Sequence, residues 1–231
     1  MTAKVPTQKN APIKEQLNQH LATLVPALEK FPWQSREHYA WFLAQTYYYV
    51  RHSTRLLALA SSRFDFGQNE QHYGFAAHIA DETRHEVLAI NDLKNLGFSI
   101  ENYPELPETR SWYHSQYFYV QNVDPAGLLG AVLALEGLSV FKGPWLHEKV
   151  TQSHGKQVAS FLKVHATEDL HHIEGACTGF DILKPEQKPI ALQSMEQSVW
   201  EYQAMLEGIC SRIASAQIPL NPMLNPTPKA S

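Results

Sequence analysis

The stretch KQVASFLKVHATEDLHHIEGACTGF, residues 156–180, carries the pattern that decides the fold. Its apolar residues recur in steps of three and four, which is the spacing of a helix with one buried face. His165, Asp169 and His172 fall on that same face. Burying two imidazoles and a carboxylate is costly unless a partner compensates them. A metal ion would compensate all three, so the stretch predicts a buried helix that contributes metal ligands.

A second segment, QHYGFAAHIADETRHEVLAINDLKNLG at residues 71–97, repeats this spacing. His78, Glu82 and His85 are separated by four and then three residues, as in the first set. This interval places all three on one face of a helix. Glu82 and His85 are the predicted ligands. His78 is held in reserve, because a single histidine on an apolar face is more often an ordinary core residue.

The segment AGLLGAVLALEGLSVF at residues 126–141 contributes the last predicted ligand, since Glu136 is its only ionisable residue. A helix that is apolar on every side is buried, and a buried carboxylate either takes up a proton or pairs with a cation. Imidazole and carboxylate donors without a thiolate fit non-haem iron or manganese better than zinc. The predicted metal ligands are therefore Glu82, His85, Glu136, His165, Asp169 and His172.

Boundary signals divide the rest of the chain into helices. Asp124-Pro125 is typical of a helix start, and Gly97 and Gly155 stand where helices commonly end. Strand patterns are nearly absent. We therefore predict an all-α bundle with helices at about 13–30, 35–63, 68–96, 108–122, 125–153, 156–182 and 186–216.

Composition limits the class of protein. A chain of 231 residues, 44% hydrophobic and 18% charged, is typical of one soluble globular domain. We expect that domain at 13–217, between a flexible segment at 1–12 and a proline-rich tail at 218–231. A net charge of −4 without a basic run argues against nucleic acid as a partner.

Location is predicted from the same features. We expect no apolar stretch long enough to span a membrane, and the N-terminus has no apolar signal sequence. Two cysteines are too few for a disulfide framework. We therefore expect a cytoplasmic protein that contacts no membrane.

The ferritin-like pattern is the first alternative for the metal site. It needs Glu on each of two helices and Glu-x-x-His on the other two. The predicted helix at 35–63 has no acid near its middle, because Glu37 lies at its start, and the chain instead has His165 one turn before Asp169. The order Glu-x-x-His, Glu, His-x3-Asp-x2-His resembles the haem-oxygenase-like di-iron oxidases and oxygenases. That family is related in fold to TenA-type thiaminases and the pyrroloquinoline-quinone synthase.

The resemblance covers the chain from Glu82 to His172 and implies an activity. It implies two Fe²⁺ ions per chain, held by the six predicted ligands, and the oxidation of a small organic substrate by O2. Some members have their first carboxylate two turns before the histidine, where this chain has His78. Either His78 or Glu82 therefore completes the ligand set of that helix. A homodimer is compatible with this fold.

Weaker candidates for substrate binding lie on the predicted second helix and after the apolar segment. An inward-facing arginine would bind a carboxylate through two hydrogen bonds, which favours a carboxylic or amino acid as substrate. Arginine and tyrosine on a helix more often serve surface and core packing. The candidates are Tyr48, Arg51, His52, Arg55 and Lys142.

Two other functions stay open. One is a metal-free TenA-like C–N hydrolase, which would need a reactive cysteine, and the chain has only Cys177 and Cys210. The other is a non-enzymatic helical protein that binds iron or a partner. Uptake of iron followed by exposure to O2 would distinguish the three.

Overall fold

The computed structural model describes residues 12–217, except for the side chains of residues 168–171 and 217. Within this range the chain forms nine α-helices and no strand, which confirms the predicted all-α class. The predicted terminal segments at 1–11 and 218–231 lie outside the described residues. The helices are α1 (Ile13–Lys30), α2 (Arg36–Val50), α3 (Ser53–Arg63), α4 (Asn69–Asp81), α5 (His85–Asn95), α6 (Pro107–Phe118), α7 (Ala126–His154), α8 (Ser160–Asp181) and α9 (Lys188–Gln217).

Two of the predicted helices are each divided into two. The predicted helix at 35–63 breaks between Val50 and Ser53 into α2 and α3, and the one at 68–96 breaks between α4 and α5. At the second break Arg84 has a left-handed backbone with φ of 73°. This conformation costs a residue with a Cβ atom about 1–2 kcal/mol. Neither break contains glycine or proline, so the helical spacing of apolar residues predicts one continuous helix across each of them.

Helix α7 is the central helix of the bundle and packs against both α8 and α9. Gly130 allows α9 to approach closely, because a Cβ atom there would collide with the carbonyl oxygen of Ala191. Among the described helices, α7 alone is long and apolar enough to cross a membrane. The expectation that no apolar stretch reaches that length was therefore wrong. However, 67% of its most apolar window is buried inside the fold, as in the core helix of a soluble protein.

Asp92 fixes the start of α8 against α5. Its carboxylate accepts hydrogen bonds from the Ser160 hydroxyl at 2.6 Å and from the Phe161 backbone N–H at 2.8 Å. Asp92 is fully buried. An acidic side chain that accepts the first N–H groups of a helix stabilises its N-terminus. Since α5 begins at His85 and α8 carries His165, this contact sets the separation of two helices with predicted ligands.

Candidate metal centre

Imidazole and carboxylate side chains from α4, α5, α7 and α8 meet in the centre of the bundle. Two sets of three residues each offer ligand atoms that lie within 4.8 Å of one another. Glu82 belongs to both sets, and it is only 9% exposed. The first set is His78, Glu82 and His172, and the second is Glu82, His85 and His165.

Glu136 of α7 joins the first set. Its Oε1 atom lies 2.9 Å from Nε2 of His78 and 3.9 Å from Nδ1 of His172. The rings of these two histidines are 4.6 Å apart between centroids. On its other side, His172 presents Nε2 to Asp81 Oδ2 at 3.3 Å. A carboxylate at one ring nitrogen orients a histidine so that its other nitrogen can bind a metal.

The second set is built from the start of α5 and the first half of α8. Nδ1 of His85 lies 3.6 Å from Glu82 Oε1, and the rings of His85 and His165 are 4.9 Å apart. Nδ1 of His165 lies 2.9 Å from the backbone carbonyl oxygen of Phe161. Because that oxygen only accepts, Nδ1 carries the proton and donates it. Nε2 of His165 is therefore the nitrogen that could bind a metal.

The helix break lies inside this arrangement. Glu82 directly follows α4, His85 is the first residue of α5, and the left-handed Arg84 lies between them. A strained backbone persists where the surrounding structure holds it, and such residues are frequent at functional sites. The predicted continuous helix at this point was therefore wrong, although both side chains still reach the cluster.

The charges of the cluster are suited to a bound cation. Burial alone would lower the pKa of His78, but the carboxylates of Glu136 and Glu82 outweigh it and raise the pKa to about 10. Burial would raise the pKa of Glu82, yet hydrogen bonds from His78 and His85 hold it well below the usual range. The two carboxylates thus favour positive charge beside them, which a bound metal ion could supply.

The structure brings most of the sequence-predicted ligands together. Five of the six, namely Glu82, His85, Glu136, His165 and His172, meet in the cluster. The side chain of Asp169 lies outside the described residues. His78, held in reserve by the sequence, lies nearer to Glu136 than His172 does. One sequence signal could have made His78 a predicted ligand. Its spacing to Glu82 and His85 is the same as the spacing of His165 to Asp169 and His172.

An open cavity adjoins the cluster. The candidate ligands His78, Glu82, Glu136 and His165 line part of it, and Lys142 lines it as well. Most of the remaining wall is aliphatic or aromatic. An apolar cavity with a few polar groups at one place is the usual form of a small-molecule site.

The predicted arginine site is not part of this cavity. Arg51, His52 and Arg55 line a separate groove beside α5, and Tyr48 lines neither space. Arg51 instead forms an ion pair with Glu105 at 3.4 Å. These three residues of the groove lie at and just after the junction where α2 ends at Val50 and α3 begins at Ser53. A substrate-binding arginine in this segment therefore stays a prediction.

The two cysteines have the properties of structural residues. Cys177 is buried and Cys210 partly buried. Burial raises the pKa of both thiols. Neither is among the described residues that line the cavity. A nucleophilic cysteine needs the opposite, a lowered pKa and access to substrate.

The donor set fits iron. It combines imidazole nitrogen with carboxylate oxygen, it is largely buried, and no thiolate belongs to either set among the described residues. Iron in non-haem sites favours such mixed donors, whereas thiolates would favour zinc or iron–sulfur clusters.

Known proteins resemble the chain in sequence and in fold. The family described as iron-containing redox enzymes matches residues 40–204, which include every candidate ligand. No curated protein matches the chain significantly.

Several solved structures share the fold. A domain of unknown function with a heme oxygenase-like fold from Shewanella denitrificans has a TM-score of 0.81 at 18% identity, over 92% of this chain and 98% of that one. A CADD-like protein of unknown function from Nostoc punctiforme has 0.69 at 19%, over 87% and 96%. A TenA homolog from Pseudomonas syringae has 0.68 at 16%, over 91% and 98%. The bundle thus has the heme oxygenase-like fold.

Proposed function

Because the chain belongs to the family of iron-containing redox enzymes, we propose that it is an oxidoreductase built around two non-haem iron ions. It uses dioxygen to oxidise a small organic substrate, a carboxylic or amino acid. The observation that carries this proposal is the position of Glu82, a buried carboxylate common to two sets of possible ligands. A carboxylate that can face two ions is a regular component of two-metal sites.

The ligands divide between the two ions. His78, Glu136 and His172 would hold one Fe²⁺, and His85 and His165 would hold the other. Glu82 would bridge them, which its place in both sets supports. Asp169 remains a proposed further ligand, because it lies one turn after His165 in α8. Each ion then has both imidazole and carboxylate donors.

Bound ferrous iron supplies the electrons and the open coordination position that dioxygen needs. The side chains supply orientation. The Phe161 carbonyl oxygen fixes the tautomer of His165, and Asp81 orients His172 from outside the cluster. The apolar wall of the cavity excludes water from the substrate, which protects the reaction from side reactions.

A metal-free C–N hydrolase is the alternative suggested by the TenA homologs among the similar structures. At such low identity they show only the shared fold. The raised pKa of both thiols, neither of which belongs to the described lining of the cavity, argues against this function.

An anaerobic titration with Fe²⁺, followed by exposure to O2, tests the proposal. We expect two irons per chain and sustained oxygen consumption once a substrate is supplied. Glu82→Ala should lose both irons, whereas Glu174→Ala, an exposed acid on α8, should keep them. A hydrolase would bind no iron, and a storage protein would bind iron without catalytic oxygen consumption.

We also propose that the enzyme acts in the cytoplasm, as a homodimer, and contacts neither nucleic acid nor a membrane. The net charge of −4 argues against nucleic acid as a partner, and the burial of α7 argues against contact with a membrane.

A further inference from the structure

A second groove lies beside α5 and is separate from the cavity at the metal cluster. Five of the α5 residues that line it recur at helical spacing and therefore share one face of the helix, namely Glu86, Val87, Ile90, Asn91 and Lys94. Residues at the junction of α2 and α3 also line the groove. None of the described residues lines both the groove and the cavity. A ligand in the groove is therefore distinct from a ligand in the cavity.

The charges on the groove wall favour a negatively charged ligand. Three cationic side chains line the groove against two carboxylates, namely Arg51, Arg55 and Lys94 against Glu86 and Glu101. The chain as a whole carries a net charge of −4. The groove is therefore a local excess of positive charge on an acidic protein, and such a patch attracts anions.

Arg51 and Arg55 are held next to each other in this groove. Nη1 of Arg55 donates a hydrogen bond to the backbone carbonyl oxygen of Arg51 at 2.7 Å. Nη2 of Arg51 donates to Oε1 of Glu105 at 3.4 Å, and its guanidinium carbon lies 4.9 Å from the ring centroid of Tyr48. A guanidinium group has five N–H donors, so each arginine keeps further donors for a ligand. Arginine is the side chain best suited to bind phosphate or carboxylate through two hydrogen bonds.

His52 adds a third polar side chain to the same wall. Its ring stacks on Tyr113 with the centroids 3.9 Å apart, and its Nδ1 atom lies 3.2 Å from the Tyr117 hydroxyl. Nε2 of His52 is buried and has no hydrogen-bond partner among the described residues. A buried polar atom without a partner costs free energy. A ligand that forms a hydrogen bond with Nε2 would recover this free energy.

Positive charge surrounds the His52 ring. Burial is the largest cause that lowers the pKa of His52 to about 4, and the charges of Arg51, Arg55 and His114 add to it. The ring is therefore uncharged at neutral pH. A bound anion would offset the positive charge that acts on it.

We propose that the groove binds a phosphate monoester. Its phosphate group accepts hydrogen bonds from Arg51, Arg55 and His52, and its organic group lies on Val87 and Ile90. Three side chains match the three terminal oxygens of a phosphate ester, whereas a carboxylate has two oxygens. The ester is a second ligand and not the oxidised substrate, because the groove and the cavity have separate walls. The inference goes beyond the proposed oxidation and does not depend on iron.

Calorimetry with the full-length protein, prepared free of iron, tests the chemistry of the ligand. We expect phenyl phosphate to bind roughly tenfold more tightly than inorganic phosphate, because its ring covers the apolar part of the groove. Benzoate should bind more weakly than phenyl phosphate, and phenol more weakly still. Benzoate or inorganic phosphate that binds as tightly as phenyl phosphate would overturn the proposal.

Variants locate the two ends of the ligand. Arg55→Met should weaken phenyl phosphate about tenfold or more, because a charge-assisted hydrogen bond is lost. Arg63→Met is the control, since Arg63 is exposed on the same helix and lies outside the described groove wall. Ile90→Ser should weaken phenyl phosphate and leave inorganic phosphate unchanged. Thermal unfolding establishes that each variant is folded.

Lys142→Met excludes the competing position, because Lys142 is a cation on the wall of the cavity at the metal cluster. This variant should bind phenyl phosphate as the wild type does. If Lys142→Met weakens phenyl phosphate while Arg55→Met does not, the phosphate lies in the cavity and the proposal is wrong.

The protonation of His52 gives a second, independent measurement. NMR of the protein with isotope-labelled histidine follows its ring, and loss of the signal in His52→Phe identifies it. Saturation with phenyl phosphate should raise the pKa of His52 from about 4, because an anion beside the ring favours its protonated form. A pKa that phenyl phosphate leaves unchanged would contradict the proposed contact.

These measurements need no iron, so the two proposals fail separately. Binding of phenyl phosphate at Arg55 by a protein that takes up no iron contradicts only the proposed oxidase. Uptake of two irons and consumption of O2 by a protein that does not bind phenyl phosphate contradicts only the proposed phosphate site.

Discussion

Oε1 of Glu136 lies 2.9 Å from Nε2 of His78, across the space between α7 and α4. Both side chains are largely buried, at 8% and 13% exposure. The contact joins two residues that the sequence treats differently. By spacing alone His78 is only a reserve ligand, whereas Glu136 is the only ionisable residue of the apolar segment at 126–141. This contact makes His78 a member of the first ligand set, with Glu82 and His172.

His78→Ala should therefore remove one iron and keep the other. The second set, which does not contain His78, retains Glu82, His85 and His165. Iron analysis after anaerobic loading should fall from two ions per chain to about one, and oxygen consumption should be lost, because two-metal chemistry needs both ions. His114→Ala, an exposed histidine on α6, is the control and should keep both. A His78→Ala protein with two irons would remove His78 from the site.

Asp92→Ala should lower the free energy of unfolding by about 1–2 kcal/mol, the usual cost of losing a helix cap. It leaves the Phe161 N–H and the Ser160 hydroxyl without their acceptor. Iron affinity should also fall, because α8 would no longer be held against α5. Urea unfolding measures the first effect and ferrous titration the second.

Asn95→Ala is the matched control for Asp92. It is exposed, lies on the same helix, and donates one hydrogen bond to the Gln157 carbonyl oxygen. Asn95→Ala should lower the free energy of unfolding by less than Asp92→Ala does, and it should leave iron affinity unchanged. Equal losses from the two variants would mean that Asp92 has no special role in placing α8.

Arg84→Gly should be nearly neutral in stability and keep both irons. Glycine adopts φ of 73° without the Cβ penalty, but it gains entropy in the unfolded chain, so the two effects largely cancel. Arg84→Val should cost more than about 1 kcal/mol, because a β-branched residue resists positive φ. Denaturant midpoints compare the two. Similar midpoints would show that the break between α4 and α5 has another conformation in solution.

His52 should make the protein less stable in mild acid. Burial, with the nearby Arg51, Arg55 and His114, lowers its pKa to about 4. The unfolded chain takes up the proton near pH 6.5 and the folded chain does not, so stability falls as the pH drops from about 6.5 towards 4. At neutral pH the histidine is uncharged in both states and contributes no pH dependence.

His52→Phe tests this contribution, since it keeps a ring against Tyr113, on which His52 stacks at 3.9 Å. The free energy of unfolding, measured in urea at about pH 7 and about pH 5, should fall less between these pH values in His52→Phe than in the wild type. His20→Gln, on α1, should retain the wild-type loss. An unchanged loss in His52→Phe would mean that His52 is protonated in the folded state.

How far the sequence predicts the site depends on the kind of signal. Glu136 was found because a lone carboxylate in an apolar helix needs a cation, and this holds whatever the neighbouring helices do. His85, His165 and His172 were found because inward polar residues interrupt an apolar face. The sequence makes His78 only a reserve ligand, because nothing in its own segment shows that α7 brings Glu136 beside it.

The breaks in the helices could not be predicted. Arg84 adopts a left-handed backbone conformation that glycine usually provides. The break after Val50 has no proline or glycine either. Arg51 and Arg55 line another groove, so the arginine site predicted from the continuous helix lies apart from the cavity beside the cluster and stays a prediction. The cavity and the position of Lys142 on its wall depend on how eight helices pack, which spacing along one chain does not determine.

The central claim is that Glu82 bridges two iron ions, and a crystal structure of the anaerobically loaded ferrous protein tests it most directly. Anomalous scattering at the iron edge should show two ions about 3.5–4 Å apart, one beside His78 and His172 and one beside His85 and His165, with Glu82 in contact with both. A single ion in the cluster, or two ions of which neither contacts Glu82, would contradict the account.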